Sequence, residues 1–266
     1  RSNSVSWAPE MCIRDRLYAD ATAQDVSATG VSNSLWAWAN FDWTPKNPEL
    51  MRTVLSIATE HFRDDPELQT QSLSNVLWAL AILRWIPDDE FLTVFQDRTL
   101  IELRKGAFSH QGLTNTIWAF AQLGIKPNET LMRELTNELG EKVSEFTSAQ
   151  AVSNSLLALA SFEYWPDEWI MEAYQAKIVE LYQEDAIPDI DWAQLFQAND
   201  MFESCSPSGA VLTDPKMVEL ATKAWKVGTS RVVISQFHRE VSAALTKMGV
   251  PHEIEYVTED GLFSLD

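Results

Sequence analysis

Apolar and polar positions follow two alternating patterns along the chain. A stretch such as Gly112 to Leu123 is apolar over most of a helical circumference, with Leu113, Ile117, Trp118, Phe120, Ala121 and Leu123. That is the pattern of a helix sandwiched between neighbours. The stretch after it, Glu129 to Glu145, is charged but keeps Leu131, Leu135, Leu139 and Val143 at helical spacing, so one face packs and the other meets water. A turn carrying a proline separates the two.

This alternation repeats. Ser32-Asn-Ser-Leu-Trp-Ala-Trp-Ala39 returns as Ser74-Asn-Val-Leu-Trp-Ala-Leu-Ala81, Thr114-Asn-Thr-Ile-Trp-Ala-Phe-Ala121 and Ser153-Asn-Ser-Leu-Leu-Ala-Leu-Ala160. The asparagines Asn33, Asn75, Asn115 and Asn154 are 42, 40 and 39 residues apart, and Ala193 to Ala198 reads as a decayed fifth copy with Gln194 in the asparagine's place. Pro45 or Pro48, Pro87, Pro127 and Pro166 follow the motifs, each trailed by acids suited to a helix N-terminus. Two helices of about 15 residues and two short turns account for such a period. The expected fold over residues 17–205 is therefore an all-α solenoid of helical hairpins. Its motif helices are expected near 24–41, 70–84, 111–123, 149–162 and 191–203.

The period stops near Cys205. Ser206-Pro-Ser-Gly209 signals a loop, and Pro215 to Val227 and Val232 to Met248 read as two further helices. His252 to Val257 then alternates, Glu259-Asp-Gly261 turns, and Leu262 to Asp266 alternates again, which predicts a β-hairpin. Residues 206–266 are expected to open a truncated α/β domain. At the other end, Met11-Cys-Ile-Arg-Asp-Arg16 looks like translated adapter sequence, so residues 1–16 are expected to be non-native and a targeting peptide to be missing from this fragment.

Composition narrows the possible functions. The 266 residues carry 20 Lys and Arg against 39 Asp and Glu, a formal charge of −19, which opposes a purely electrostatic grip on nucleic acid or anionic lipid. Two cysteines, Cys12 and Cys205, supply neither a disulfide framework nor a cysteine zinc site. No apolar run approaches the ~20 residues that span a bilayer, so no membrane partner is expected. His61, His110, His238 and His252 are scattered, no glycine-rich phosphate loop is present, and no spacing suggests a metal. The expectation is no catalytic residue, no cofactor and no enzyme activity.

The motif [Ser/Thr]-Asn-x-[Leu/Ile]-Trp-Ala-x-Ala with its proline-acid turn, most clearly Trp165-Pro-Asp-Glu-Trp169, resembles the octatricopeptide repeat across residues 21–203. Similar helical repeats occur in FAST-kinase-like proteins. The tail, with Ser235 to Val241, Leu245 to Gly249 and Glu255 to Asp266, is similar to the opening of a RAP domain. The resemblance implies an RNA-binding factor of mitochondria or plastids, acting on RNA stability, processing or translation, with a single-stranded organellar transcript as partner. It also relates the RAP fold to nucleases whose metal-holding acids would lie near and beyond Asp266, so no nuclease assignment follows from these residues.

Helical-repeat readers devote about one repeat to one base, using two or three side chains per unit. The charged second helices are expected to supply them. Arg52, Thr93, Arg133 and Glu172 occupy equivalent positions one turn past the proline, and Ser56, Asp97 and Asn137 lie one turn further on the same face. Varied polar residues in a recurring frame fit base reading; they fit ordinary drift of solvated positions as well. Arg98, Arg104, Lys105, Lys142 and Lys177, with Arg52 and Arg133, are the candidate phosphate contacts, although acids on the same helices outnumber them. Asn33, Asn75, Asn115 and Asn154 are expected to be structural, bonding backbone in a neighbouring helix or turn. Trp36, Trp78 and Trp118 are expected in the core, where Leu157 replaces tryptophan in the fourth copy. The alternative to RNA binding is an acidic α-solenoid scaffold for protein partners, which the −19 charge suits.

Overall fold

A computed structural model of the chain describes residues 26–205, 209–229, 235–254, 256–258, 261–262 and 264–265. The adapter-like segment, residues 24 and 25 of the first motif helix, Ser206 to Ser208, Glu255, Glu259, Asp260 and Asp266 lie outside the described residues. Eleven helices are found among those described: α1 (Ala28–Asn40), α2 (Pro48–Asp64), α3 (Thr70–Ile82), α4 (Asp89–Arg104), α5 (His110–Leu123), α6 (Glu129–Lys142), α7 (Ala149–Ser161), α8 (Glu168–Gln183), α9 (Asp189–Cys205), α10 (Pro215–Thr229) and α11 (Gln236–Lys247). The motif helices are the odd-numbered ones from α1 to α9, close to their expected bounds.

Each helix boundary has a local cause. Asn47, Asp88 and Asn128, just past the turn prolines, accept backbone N–H bonds from Glu49, Phe91 and Leu131 at 3.0, 2.9 and 2.9 Å and so cap α2, α4 and α6. Ser27, Ser109 and Ser148 cap α1, α5 and α7 in the same way. At the other ends, Asp42, Arg84, Gly124 and Glu163 each stand nine residues after the motif asparagine with φ between 48° and 67°. The residue after each closes a bond back five residues: Trp43 to Trp38, Trp85 to Leu80, Ile125 to Phe120 and Tyr164 to Leu159, at 2.9 to 3.1 Å. These are left-handed helix stops of the Schellman type, three of them built without glycine.

The chain divides into two compact units. The first runs to Phe146 and includes Glu168–Ile170; the second comprises Thr147–Asp167 and the residues from Met171 onward. In the first unit the motif helices α1, α3 and α5 pack side by side as one layer and α2, α4 and α6 as another, as expected for an α-solenoid. Thr70 at the start of α3 donates to the carbonyl of Ala107 just ahead of α5, at 3.2 Å, so these two helices begin at the same end of the layer. Phe62, Phe91, Phe95 and Phe120 interlock between the layers with ring centroids 5.8 to 5.9 Å apart.

The motif helices approach closely because small hydroxyl residues occupy their contact face. Ser32, Ser74, Thr114 and Ser153, each just before a motif asparagine, are buried and donate to the carbonyls of Thr29, Gln71, Gln111 and Gln150 within their own helices. The hydroxyls of Ser32, Ser74 and Thr114 are therefore satisfied within their own helices, while that of Ser153 also meets Asp191 and Gln194 of α9.

In the second unit α7 packs on α9 and α9 on α10. The fully buried Tyr174 of α8 donates to Ser155 of α7 at 2.9 Å, and burial raises its pKa. Asn199 of α9 accepts from the backbone N–H of Val211 and Leu212, at 2.8 and 2.9 Å, holding the chain that leads into α10. Among the described residues the expected hairpin shows β1 (Tyr256–Val257) and β2 (Ser264–Leu265), paired antiparallel over two residues each. The later of the two extra helices runs from Gln236, where Ser235 caps it by accepting from His238 N–H, and Val232 to Ile234 lie outside the described residues.

Arg98 and Glu102 of α4 form an ion pair at 2.9 Å with side chains only 9% and 6% exposed, and Lys105 meets the same carboxylate at 2.9 Å. Removing one member of such a pair strands the other charge. Glu102→Leu should destabilise the first unit by about 3–5 kcal/mol. Arg98→Met combined with Glu102→Leu should recover most of that loss, read as the denaturation midpoint.

Candidate functional site

The motif helices and the helices that follow them differ sharply in charge. Helices α1, α3, α5 and α7 contain no Asp, Glu, Lys or Arg, whereas acids outnumber bases on each of α2, α4, α6 and α8. Charge is therefore absent from the first four motif helices, while the fifth, α9, carries Asp189, Asp191, Asp200 and Glu203.

The cations expected to meet phosphate are mostly spent. Arg98 is 8% and Lys177 7% exposed, Arg98 on Glu102 and Lys177 on Glu180 at 2.8 Å. Neither is available to phosphate as expected, because each side chain is buried and a carboxylate one turn away takes its charge. Lys142 pairs with Glu138 at 2.9 Å and donates to the carbonyl of Phe108, so it serves as a cross-brace. Lys105 is held by Glu102. Arg104 is exposed.

The expected base readers Arg52, Ser56, Thr93, Asp97, Arg133 and Glu172 are exposed and Asn137 half-buried. Arg52 pairs with Glu49, Arg133 lies 3.7 Å from Glu134, and the Thr93 hydroxyl donates to the Asp89 carbonyl at 2.8 Å. Arg52 and Ser56 line a shallow cavity of about 170 Å³ between α2 and α4, together with Glu60, Arg63, Asp88 and Glu90. Three carboxylates against two guanidiniums make that cavity a poor seat for a phosphate strand.

The motif residues lie elsewhere than expected. Asn33 is exposed and Asn75, Asn115 and Asn154 are half-buried; their carboxamides make no hydrogen bond to any described residue. Trp36 is 47% exposed, and Trp78, Trp118 and Leu157 are half-buried. The asparagines are thus not backbone clamps, and the tryptophans are not wholly core. Helical geometry supplies the reason. At about 100° per residue, positions −4, 0, +3 and +7 relative to the asparagine fall within an arc of about 60°, while the buried hydroxyl at −1 points to the neighbouring helix.

That arc reads Thr29, Asn33, Trp36, Asn40 on α1; Gln71, Asn75, Trp78, Ile82 on α3; and Gln111, Asn115, Trp118, Gln122 on α5. All twelve are exposed or half-buried. Sequence reasoning missed this surface because an asparagine amid Leu, Trp and Ala suggests burial. The spacing −4, 0, +3, +7, free of charge in three successive copies, was the signal that could have found it. In the turns just beyond these helices stand the exposed cations Lys46, Arg84 and Lys126, one per turn, with the acids Asp42 in the first and Asp88 in the second.

In the second unit the arc changes character. Leu157 replaces the tryptophan on α7, and on α9 Gln194 is drawn inward, its Oε1 2.8 Å from Ser153 Oγ. The same hydroxyl lies 2.8 Å from Oδ1 of Asp191, which is 4% exposed. Ser153 Oγ thus stands between the Asp191 carboxyl and the Gln194 side chain and ties both to α7. Burial pushes the Asp191 carboxyl above its ordinary value, and the Ser153 bond pulls it the other way.

Among the described residues no three His, Cys, Asp or Glu side chains gather to hold a metal, and no helix is long and apolar enough to cross a membrane. Residues 53–183 match the family model of the Tbc2 translation factor N-terminal domain. No curated protein matches the chain at a significant level.

A carboxyl with a raised folded-state pKa binds its proton more tightly folded than unfolded, so its share of stability is full below the unfolded value of 3.8 and declines as pH rises through the folded value. Unfolding of the second unit should accordingly become easier across the weakly acidic range above that value. Asp191→Asn should flatten the dependence, measured by denaturant midpoints at stepped pH.

Proposed function

We propose that the chain is an RNA-binding helical-repeat factor of mitochondria or plastids, acting on transcript stability, processing or translation, with no catalytic step of its own. The observation that carries this reading is the uncharged arc of amides and tryptophans repeated on α1, α3 and α5 in a chain otherwise rich in acid. Amides present paired donors and acceptors and indoles present flat π faces, the two chemistries by which proteins hold unpaired bases. The likeness to a translation factor domain and the resemblance to octatricopeptide repeats point the same way. The organelle and the RAP-like identity of the tail rest on the resemblance alone.

One observation favours a second role. The acid-rich second helices, with Arg52, Arg98, Lys105 and Lys177 neutralised internally, offer a negative surface to a basic protein. The two roles use different layers and are compatible.

The full chain, immobilised at low salt, should retain single-stranded RNA from a random-sequence pool and release it to unlabelled single strands. Retention of basic proteins with no RNA from any pool would replace this reading with the scaffold.

A further inference from the structure

We propose that the RNA lies on the motif helices of the first unit, not on the charged helices, with Asn33 and Trp36, Asn75 and Trp78, and Asn115 and Trp118 forming three rungs that each take one base. This rests on the RNA reading above and assigns its site.

Three observations converge. The carboxamides of the three asparagines have no partner among the described residues, yet recur in every copy where a solvated position was free to vary. An unpaired amide with solvent access is a donor and acceptor pair held in reserve for a ligand edge. The tryptophan one turn away exposes part of its ring, 47% of the residue at Trp36, although burying it fully would gain more from the hydrophobic effect. Finally, the face bears no carboxylate in a chain with 39 of them, so a polyanion can approach it without meeting a negative side chain on the helices it touches.

The arrangement also fixes the ligand's form. Packed helices stand about 8–10 Å apart, wider than the spacing of stacked bases. A strand crossing them is therefore splayed, one base per rung, which a duplex cannot do. Because the rungs are identical, they hold bases without distinguishing among them. The fourth copy has Leu157 for tryptophan and the fifth has Gln194 tied to Ser153, so the aromatic rungs are confined to the first unit.

Phosphate contacts come from the turns. Lys46, Arg84 and Lys126 give at most three, so the slope of log affinity against log salt is about −2, at roughly −0.7 per contact on a single strand.

The test uses the full chain and a single-stranded RNA oligonucleotide. Asn33→Asp, Asn75→Asp and Asn115→Asp together place carboxylates on the face without disturbing any intramolecular bond, and Trp36→Ala removes the most exposed ring. Each change should lower affinity about ten-fold or more, with unchanged helical circular dichroism. Ser56→Asp with Thr93→Asp on the charged helices should leave affinity within two-fold, roughly the experimental scatter of such measurements. Tryptophan fluorescence should be quenched on binding and duplex RNA should not compete. If the wild-type chain binds RNA and the asparagine variant binds equally well, the site assignment fails while the RNA reading stands. A salt slope of about −5 or steeper overturns the assignment as well, because it requires more phosphate contacts than these turns supply. If the wild-type chain binds no RNA, or the asparagine changes block a protein partner instead, both fail.

Discussion

Close side-by-side packing of the motif helices is the constraint on which the first unit depends. A helix flanked by two neighbours and backed by a second layer has one narrow strip of surface left. The contact edges need small residues, and the chain supplies them as Ser32, Ser74 and Thr114, whose hydroxyls bond their own helix at 3.0 to 3.2 Å and demand nothing from across the interface. Leu35, Leu77 and Ile117 fill the side facing the second layer and are fully buried. Once those positions are assigned, the geometry of the helix leaves −4, 0, +3 and +7 for the solvent.

The layers then divide the chemistry. In the first unit charge is excluded from the packed layer because a charged side chain there would have to be paired or stranded, and it accumulates on α2, α4 and α6; α8 of the second unit is charged in the same way. There the cations settle onto nearby carboxylates, as Lys142 does on Glu138 and Lys177 on Glu180. The charged layer is consequently rich in ions and short of free positive ones, while the uncharged strip keeps its hydrogen-bonding capacity. A formal charge of −19 misleads when it is spread evenly over the molecule in thought.

The turns explain why the period holds despite small changes in length. Asp42, Arg84 and Glu163 accept a left-handed conformation that costs a non-glycine residue roughly 1–2 kcal/mol. The buried prolines Pro45, Pro87 and Pro166 follow three residues later, as Pro127 does after Gly124. A stop and a restart at a set interval deliver the next helix to the same place in the opposite layer, so equivalent residues of successive copies share one surface.

Much of this was legible in the residues alone. The recurring asparagines set the period, the prolines marked the helix starts, and the apolar spacing separated packed from amphipathic helices, because all three depend on neighbours within one or two turns. What the residues could not reveal was which side of a mostly apolar helix faces water, since that depends on how many neighbours flank it. Asn75 and Trp78 were expected inside and are only half-buried; Arg98 and Lys177 were expected outside and are buried. Local sequence determined the helices and their rhythm. The tertiary packing decided which polar groups were consumed internally and which were left for a partner, because burial and pairing are properties of the assembled layers and not of any single helix.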